Sequence, residues 1–403
     1  MSYTSIAIAS IGLVRRRAIL RGAAAMLLGV LLLAQGASAA EPIKIGLVTA
    51  MSGQSARAGE AITRGASIAI EEINAKGGVL GRRLELVRRD DEANPAKGLT
   101  AARELIQREK VAVLIGGLDT PVQLAIVPFV NNTKFPFLVP WAAGTNITQN
   151  GAPNNYVFRV SAMDEEVDRA IVAYSRKTHN AKKPGMILVN NPWGESNEVG
   201  LKAALKTAGI EPAGIEKFEG NDVDVVSQLS RLKQAGADTL YLVGNVGPSS
   251  QVVKSLDRMG WAPPIVSHWG PAGGRFTELA GPNAKSVIFV QTYSFFGDLS
   301  PIGKKVLAAL QAKYPDIKGP EDVTPAVGVA NTYDSILLIA KAIEKAGSTD
   351  PTAIRDGFYA IDKVDGLIKT YEKPFTKDKH DALSAGDYIW ARFEDNRIMP
   401  VKN

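Results

Sequence analysis

The chain has 403 residues, and 45% of them are hydrophobic. About 360 residues follow residue 40, which is more than one hydrophobic core usually supports, so we expect two lobes. It contains no cysteine, which excludes disulfides and a cysteine-linked lipid anchor. The formal net charge is +6, but residues 1–40 contain four arginines and no acidic residue, so the rest of the chain carries only about 6 − 4 = +2. No run of basic residues is interleaved with aromatic residues, and we therefore expect no nucleic-acid partner.

The amino terminus carries the pattern of an export signal. An arginine-rich stretch at residues 15–21 precedes an apolar run at 23–33, and Ala37-Ser38-Ala39 offers the small residues that a signal peptidase accepts. The apolar run is only about half of the ~20 residues needed to span a bilayer, which disfavours a permanent anchor. We therefore predict a signal peptide over residues 1–39 and a mature protein free in the periplasm. The general secretory route and the twin-arginine route both stay open.

Residues 43–117 alternate strand and helix signals. A short apolar strand, IKIGLVTAMSG, leads into a helix that ends in EEINAKGG, and the segment RRLELVRRDDEANP, the helix AARELIQREK and the strand VAVLIGG follow. Gly77-Gly78 supplies a left-handed stop to the first helix. The apolar stripe of that helix consists of Ile62, Ala66, Ala69, Ile70 and Ile73. The unbroken run at 111–115 is typical of a parallel strand covered on both faces, so we predict an α/β doubly wound parallel sheet.

The same alternation repeats further along the chain. A strand at 156–160 ends the first series, and further strands are predicted at 185–189, 214–218, 239–242 and 264–267. Helices are predicted at 165–178, 195–208, 224–235 and 248–259. This repetition indicates a second parallel sheet and therefore a second lobe.

The amino-acid sequence of residues 43–117 resembles the amino-terminal part of the periplasmic solute-binding proteins that serve branched-chain amino acid (Leu/Ile/Val-type) ABC transporters. The resemblance implies a type I periplasmic binding fold, with two doubly wound parallel-sheet lobes joined by a three-strand hinge. Lobe I would comprise 42–161 plus 292–368, and lobe II 162–291 plus 369–403. The chain would cross between the lobes near 161–164, 290–295 and 365–375. The helix at 325–346, which contains the family-like ANTYDS, would belong to lobe I.

Ligands of open parallel sheets bind outside the carboxyl ends of the strands, so the loops there are candidate binding segments. After the strand that ends at Ile115, Thr120 is a good N-cap and Pro121 a good first helical residue. Such a helix start presents N–H groups to an anion, for which a ligand carboxylate is the natural candidate. An ordinary capped helix would have the same sequence.

The resemblance assigns further residues to the site. Thr120 falls on the family's carboxylate-binding serine, and Trp141, Ala142 and Ala143 fall on its Ala-Ala-Thr triplet, whose hydroxyl is missing here unless Thr145 replaces it. Trp193 matches the tyrosine that covers the substrate from lobe II. Asn245 lies where amino acid binders carry a second tyrosine.

One loop departs from the family. Amino acid binders keep a glutamate after the strand that ends here at Val266, because a buried ammonium group needs a partner. The segment reads Ser267-His268-Trp269-Gly270-Pro271-Ala272-Gly273, and either Ala272 or Trp269 takes that position. With His268 and these residues in the site, we predict a carboxylate ligand without an α-ammonium, such as an aromatic acid among Trp141, Trp193 and Trp269. The alternative is an amino acid whose ammonium is neutralised by Glu195 or Asp119.

Enzyme motifs are missing from the sequence. The histidines, His179, His268 and His380, do not form a metal-ligand spacing, and the chain has no Gly-x-Ser-x-Gly elbow, cysteine nucleophile or dinucleotide fingerprint. We therefore predict a protein without catalysis, metal or cofactor. Its expected partners are a small carboxylate and an ABC transporter permease, and it is expected to act as a monomer. A ligand sensor of the same fold and a secreted doubly wound hydrolase are the remaining alternatives.

Overall fold

The structure is a computed structural model that describes residues 40–401, and the predicted signal peptide at 1–39 lies outside the described residues. The helices, in chain order, are α1 (Ala56–Ala75), α2 (Pro95–Gln107), α3 (Thr120–Asn132), α4 (Thr145–Thr148), α5 (Asp164–His179), α6 (Pro192–Ala208), α7 (Val226–Gln234), α8 (Val246–Arg258), α9 (Phe276–Ala280), α10 (Pro301–Lys313), α11 (Ala326–Ala346) and α12 (Pro351–Tyr359). Both sheets are built from strands that alternate with these helices, as the sequence predicts.

The first sheet has the order β2-β1-β3-β4-β5, and each of these pairings is parallel. Its strands are β1 (Ile43–Thr49), β2 (Leu84–Asp90), β3 (Val113–Ile115), β4 (Phe137–Val139) and β5 (Val157–Arg159). Every residue of β3 and β4 is buried, which accounts for their unbroken apolar sequences. The predicted stripe of α1 lies in the protein core, since Ile62, Ala66 and Ala69 are fully buried. The helix ends before Gly77 and Gly78, which both adopt positive φ.

The second sheet has the order β14-β13-β10-β9-β8-β6-β7. Its strands are β6 (Gly185–Val189), β7 (Gly214–Phe218), β8 (Leu240–Val243), β9 (Ile265–Ser267), β10 (Val287–Gln291), β13 (Ile389–Glu394) and β14 (Arg397–Pro400), while β11 (Lys363–Asp365) and β12 (Thr370–Glu372) form a separate hairpin. The strands from β6 to β10 pair in parallel, as expected, whereas β13 and β14 add an antiparallel edge that the alternation of strands and helices did not predict.

The chain passes between the two sheets three times. The first passage connects β5 to α5, and the second connects β10 to α10, which packs against α1 of the first lobe. The third passage occurs later than expected. Residues 380–382, expected in lobe II, still contact the first sheet, because Arg159 of β5 forms a β-bridge with Asp381 and donates its backbone N–H to the carbonyl of His380 at 2.8 Å. The chain joins the second sheet only at β13, and the other lobe boundaries stay a prediction.

Helix α11 is long and apolar enough to cross a membrane by length and composition, with a mean hydropathy of 1.3 over its most apolar window, and 83% of that window is buried inside the protein. Its buried surface packs against α1 and α12. The buried carboxyl group of Asp334 on α11 accepts hydrogen bonds from the backbone N–H of Ile368 at 2.9 Å and from the hydroxyl of Tyr371 at 2.7 Å. These bonds hold the β11–β12 hairpin against the first lobe.

Candidate ligand-binding site

The carboxyl ends of both sheets face a common cleft. Loops after β1, β2 and β3 approach it from the first sheet, and loops after β6, β7, β8 and β9 approach it from the second. The cleft contains a cavity of about 290 Å³. Its lining consists of Ser52, Gly53, Gln54, Ser55, Glu92, Ala93, Leu118, Asp119, Val189, Asn191, Gly220, Asn245, Val246, Pro248, Gly270 and Gly273. The cavity therefore lies where ligands of open parallel sheets bind.

A smaller inner cavity of about 10 Å³, large enough for about one water molecule, adjoins it. Its lining consists of Leu118, Asp119, Thr120, Pro121, Ala143, Asn191, Trp193, Asn245, Trp269 and Gly270. Five of these residues also line the larger cavity, so the two cavities are parts of one site.

Asp119 and Asn245 meet in the middle of the site. The amide Nδ2 of Asn245 donates a hydrogen bond to Oδ1 of Asp119 at 2.9 Å, and this bond connects the loop after β3 to the loop after β8. Burial raises the pKa of the Asp119 carboxyl to about 6, and the hydrogen bond from Asn245 opposes that rise. At neutral pH the site therefore contains a carboxylate that has lost much of its hydration.

Asp119, and not Thr120 as the sequence predicts, is the N-cap of α3, and Asn245 is the N-cap of α8, yet no side chain among the described residues caps either helix. Asp and Asn normally accept a hydrogen bond from the first turn of the helix that they begin. Here their side chains bond to each other instead. The first-turn N–H groups of Thr120 in α3 and of Val246 and Gly247 in α8 are thus not served by a cap, and the positive ends of both helix dipoles point towards the cleft.

The loop after β4 forms the floor of the inner cavity. The hydroxyl of Thr120 accepts a hydrogen bond from the backbone N–H of Gly144 at 3.2 Å, and the N–H of Ala142 donates to the carbonyl of Gly117 at 3.1 Å. The N–H of Thr145 donates to the hydroxyl of Ser196 on α6 at 3.1 Å, which makes a second hydrogen bond between the lobes. These bonds fix the loop relative to both walls of the site.

Three tryptophans surround the inner cavity, and two of them line it. Trp193 and Trp269 have 6% and 2% of their surface exposed. Trp141 lies behind Trp269, with a distance of 6.0 Å between their ring centroids and an edge-to-face orientation. Trp141 also packs closely against Gly328 of α11, where an added Cβ would lie 2.7 Å from its ring. The rings thus fill the inner end of the cleft, and the larger cavity lies towards the cleft entrance.

Three larger cavities lie elsewhere on the surface, and the smallest of them, of about 390 Å³, is lined by residues that include Thr148, Met163 and Asp381. The other two, of about 590 and 900 Å³, are lined in part by α9 and by the β13–β14 hairpin, and neither includes a residue that directly follows a parallel strand. Their position does not match the binding position of open parallel sheets.

A sequence profile of the family described as Periplasmic binding protein matches residues 42–388. The chain belongs to this family. Membership accounts for the two-lobed α/β fold and implies that the protein works in the periplasm as a solute-binding partner of an ABC transporter.

Relatives and solved structures agree with this assignment. A Leu/Ile/Val-binding protein homolog of Brucella melitensis is 26% identical over 363 residues, which is 89% of this chain and 94% of that protein. A branched-chain amino acid transporter substrate binding protein of Streptococcus pneumoniae, solved in complex with isoleucine, has a similar fold, with a TM-score of 0.75 at 23% identity over 90% of this chain and 100% of the other. A solute binding protein of an ABC transporter from R. palustris, solved with 4-hydroxybenzoate, has the same TM-score and identity, over 90% of this chain and 96% of the other.

In this periplasmic binding protein, five of the nine site residues named from the sequence line the inner cavity, namely Thr120, Ala143, Trp193, Asn245 and Trp269. The other four are Trp141, Ala142, His268 and Ala272. They are buried behind the cavity walls and line neither cavity. His268 nevertheless contacts the site indirectly, because its ring lies 5.2 Å from that of Trp193.

The sequence analysis did not predict that the loop after β1 or Asn191 would line the site of this periplasmic binding protein. Ser52, Gly53 and Gln54 follow β1 and line the larger cavity, so the rule that ligands bind at strand carboxyl ends would have found them. Asp119 entered the sequence interpretation only as an alternative partner for an ammonium group. Glu195, the other alternative, is exposed and lines neither cavity.

Proposed function

We propose that the protein is the substrate-binding component of an ABC importer and that it binds a small zwitterion, a molecule with both an ammonium and a carboxylate group, between its two lobes. The observation that carries this proposal is the charge of the site. Asp119 and Glu92 line it, whereas no lysine, arginine or histidine of residues 40–401 does. A ligand ammonium would neutralise Asp119, which burial has partly dehydrated.

The ligand carboxylate needs donors, and the beginnings of α3 and α8 supply them. Both helices start at the cavity without a side-chain cap among the described residues, so the N–H groups of Thr120, Val246 and Gly247 can donate to an anion. A carboxylate at these helix starts and an ammonium at Asp119 together describe an α-amino acid. The Brucella melitensis relative is named as a homolog of Leu/Ile/Val-binding proteins, and the S. pneumoniae protein was solved with isoleucine.

An aromatic carboxylate is the second candidate. Trp193 and Trp269 line the inner cavity and offer ring surfaces to an aromatic ligand. The R. palustris protein of similar fold was solved with 4-hydroxybenzoate. An aromatic carboxylate would place its negative charge near the Asp119 carboxylate without a cation between them. The resulting repulsion makes this ligand class less favourable than an amino acid.

Transport requires further properties that we also propose. Residues 1–39 are a cleaved export signal, the mature protein acts as a monomer without a cofactor or catalytic activity, and an ABC permease recognises the form in which the lobes have closed on the ligand.

Thermal melts of the mature protein in the presence of isoleucine, leucine, valine, benzoate and 4-hydroxybenzoate test the proposal. A ligand at one hundred times its dissociation constant stabilises the fold by about 2.7 kcal/mol, which raises the melting temperature measurably. We expect larger shifts with the amino acids. Asp119→Asn should abolish those shifts, whereas Glu195→Gln, which changes an exposed acid outside the cavity, should retain them. Larger shifts with the aromatic acids, persisting in Asp119→Asn, would reverse the order of the two candidates.

A further inference from the structure

Asp164 is the first residue of α5 and directly follows the first passage between the lobes. Its backbone N–H donates a hydrogen bond to the carbonyl of Ala143 at 2.9 Å, and Ala143 lines the inner cavity from the first lobe. Its side chain is fully buried. It lines neither cavity, so it cannot touch a ligand there.

The Oδ1 atom of Asp164 lies close to two side-chain rings of the second lobe. The indole Nε1 of Trp193 donates a hydrogen bond to it at 3.1 Å. The Nε2 atom of His268 lies 3.0 Å from the same oxygen, in an orientation that does not make a hydrogen bond. The Nδ1 atom of His268 accepts the backbone N–H of Trp269 at 2.8 Å, so in the neutral ring the proton is on Nε2.

This arrangement fixes the orientation of the cavity wall. A rotation of the Trp193 ring would break the bond to Asp164 and leave a buried donor and a buried acceptor unpaired, which is unfavourable. The rings of Trp193 and His268 also contact each other at 5.2 Å with an interplanar angle of 76°, so they constrain each other. One carboxyl group thus determines where the indole surface of the site lies.

We propose that Asp164 is a positioning residue of the ligand site. It holds the loop of Ala143 through its backbone and the Trp193 indole through its side chain, so that both walls of the inner cavity have fixed positions before ligand arrives. This inference rests on the proposed function, because it assumes that the cavity beside Trp193 is the binding site.

Asp168 provides a matched control. It lies one turn further along α5, is also fully buried, and within the described residues neither of its carboxyl oxygens has a hydrogen-bond partner. It packs against Gly200 of α6, where an added Cβ would lie 2.1 Å from its Oδ2, and it does not contact Trp193 through a hydrogen bond. A change at Asp168 therefore removes a buried carboxyl from the same helix without removing the bond to the indole.

The experiment combines NMR of the indole N–H groups with calorimetric titration. The full protein has five tryptophans, and Trp193→Phe identifies the indole resonance of Trp193 by its disappearance. We expect Asp164→Ala to move that resonance and to weaken binding of isoleucine, or of benzoate if that is the ligand, by about tenfold or more. Asp164→Asn keeps an acceptor oxygen and should restore both properties to within about threefold of wild type. Asp168→Ala should change neither.

An unchanged Trp193 resonance and unchanged affinity in Asp164→Ala would overturn the proposal, and so would an equal loss in Asp168→Ala. If Asp164→Ala does not fold, Trp193→Phe takes its place, because it keeps a ring but removes the donor. Wild-type affinity in Trp193→Phe would then count against the proposal. A wild-type protein that binds neither isoleucine nor benzoate would contradict the proposed ligand classes, while the indole resonance would still decide whether Asp164 holds Trp193.

Discussion

The side chains of Asp119 and Asn245 are hydrogen-bonded to each other across the cleft at 2.9 Å, although each is the N-cap of its own helix. An N-cap hydrogen bond typically contributes about 1 kcal/mol to helix stability, so two helices forgo such a contribution at the same place. Departures of this kind from local preference are expected at functional sites. The free helix starts and the shared carboxyl group then become available to a ligand.

The hydrogen bond between Asp119 and Asn245 also predicts how ligand affinity changes when a charge is added at this place. Asn245→Asp places a second carboxyl group opposite Asp119 and replaces attraction by repulsion. We expect ligand affinity at pH 7.5 to fall by about 2 kcal/mol, roughly thirtyfold, in calorimetric titration. Ser196→Ala is the control, since it removes the neutral bond to the N–H of Thr145 at the same interface and should cost about 1 kcal/mol or less. Equal losses in the two variants would show that charge at Asp119 is not important for closure.

The pKa of Asp119 separates the two ligand classes by pH. With a pKa of about 6, the carboxyl is almost entirely ionised at pH 7.5 and about one quarter ionised at pH 5.5. If ionised Asp119 pairs with a ligand ammonium, affinity should fall by about fourfold as the pH decreases over this range. An aromatic carboxylate should instead bind better at pH 5.5, because the repulsion from Asp119 disappears. Titrations of the wild type at both pH values measure the sign, and Asp119→Asn should remove the dependence.

Buried acids make the ligand-free protein more stable at mildly acidic pH. Burial raises the pKa of Asp91 and of Asp334 to about 7 and that of Asp119 to about 6. The folded state therefore binds more protons than the unfolded state between about pH 4 and pH 7, and the free energy of unfolding falls as pH rises through this range. From pH 7.5 to pH 5.5, Asp91 and Asp334 each favour the folded state by about 2 kcal/mol. Burial lowers the pKa of His179 and His380, and these two residues oppose the stabilisation as the pH falls.

We therefore expect a higher melting temperature at pH 5.5 than at pH 7.5 in differential scanning calorimetry. Asp168→Asn should flatten the dependence, because burial raises the pKa of Asp168 well above its ordinary value. A wild-type melting temperature that decreases on acidification would contradict the assignment of these carboxyl groups as protonated in the fold.

The sequence predicted most helices and strands to within a few residues, because the buried face of each element repeats at the period of its secondary structure. Helix α6 begins at Pro192 and not at 195, since Asn191 caps it by accepting the N–H groups of Trp193 and Gly194 at 2.9 and 3.1 Å. The sequence signal for this helix start is Asn191 as the N-cap, followed by a proline as the first helical residue. The Asp119–Asn245 pair could not be predicted, because it depends on how two loops 126 residues apart face each other. For the same reason the role of Asp164 was not visible in the sequence.

Export can be tested independently of the ligand. The arginine-rich stretch, the short apolar run and Ala37-Ser38-Ala39 predict cleavage after residue 39. Mass spectrometry of periplasmic protein should find a new amino terminus at Ala40 or close to it. Replacing Ala37 and Ala39 by large residues should block processing, and recovery of the full-length wild-type chain from membranes would refute cleavage.

Trp193 should contribute to both binding and stability. It lines the inner cavity, yet only 6% of its surface is exposed and its indole is bonded to Asp164. Trp193→Ala should therefore weaken ligand binding by about 2 kcal/mol and lower the free energy of unfolding by about 3 kcal/mol. The affinity is measured by titration and the stability by denaturation of the ligand-free protein.

Trp390 supplies the comparison for that variant. It packs on Tyr174 at a ring-centroid distance of 4.2 Å and lines neither cavity of the cleft. Trp390→Ala should lower stability but leave ligand affinity unchanged, because its ring lies outside the site. If Trp193→Ala behaved in the same way, with normal affinity and lower stability, its ring would belong to the core alone. The remaining aromatic surface of the inner cavity would then be that of Trp269, which would weaken the case for an aromatic ligand relative to an amino acid held by Asp119.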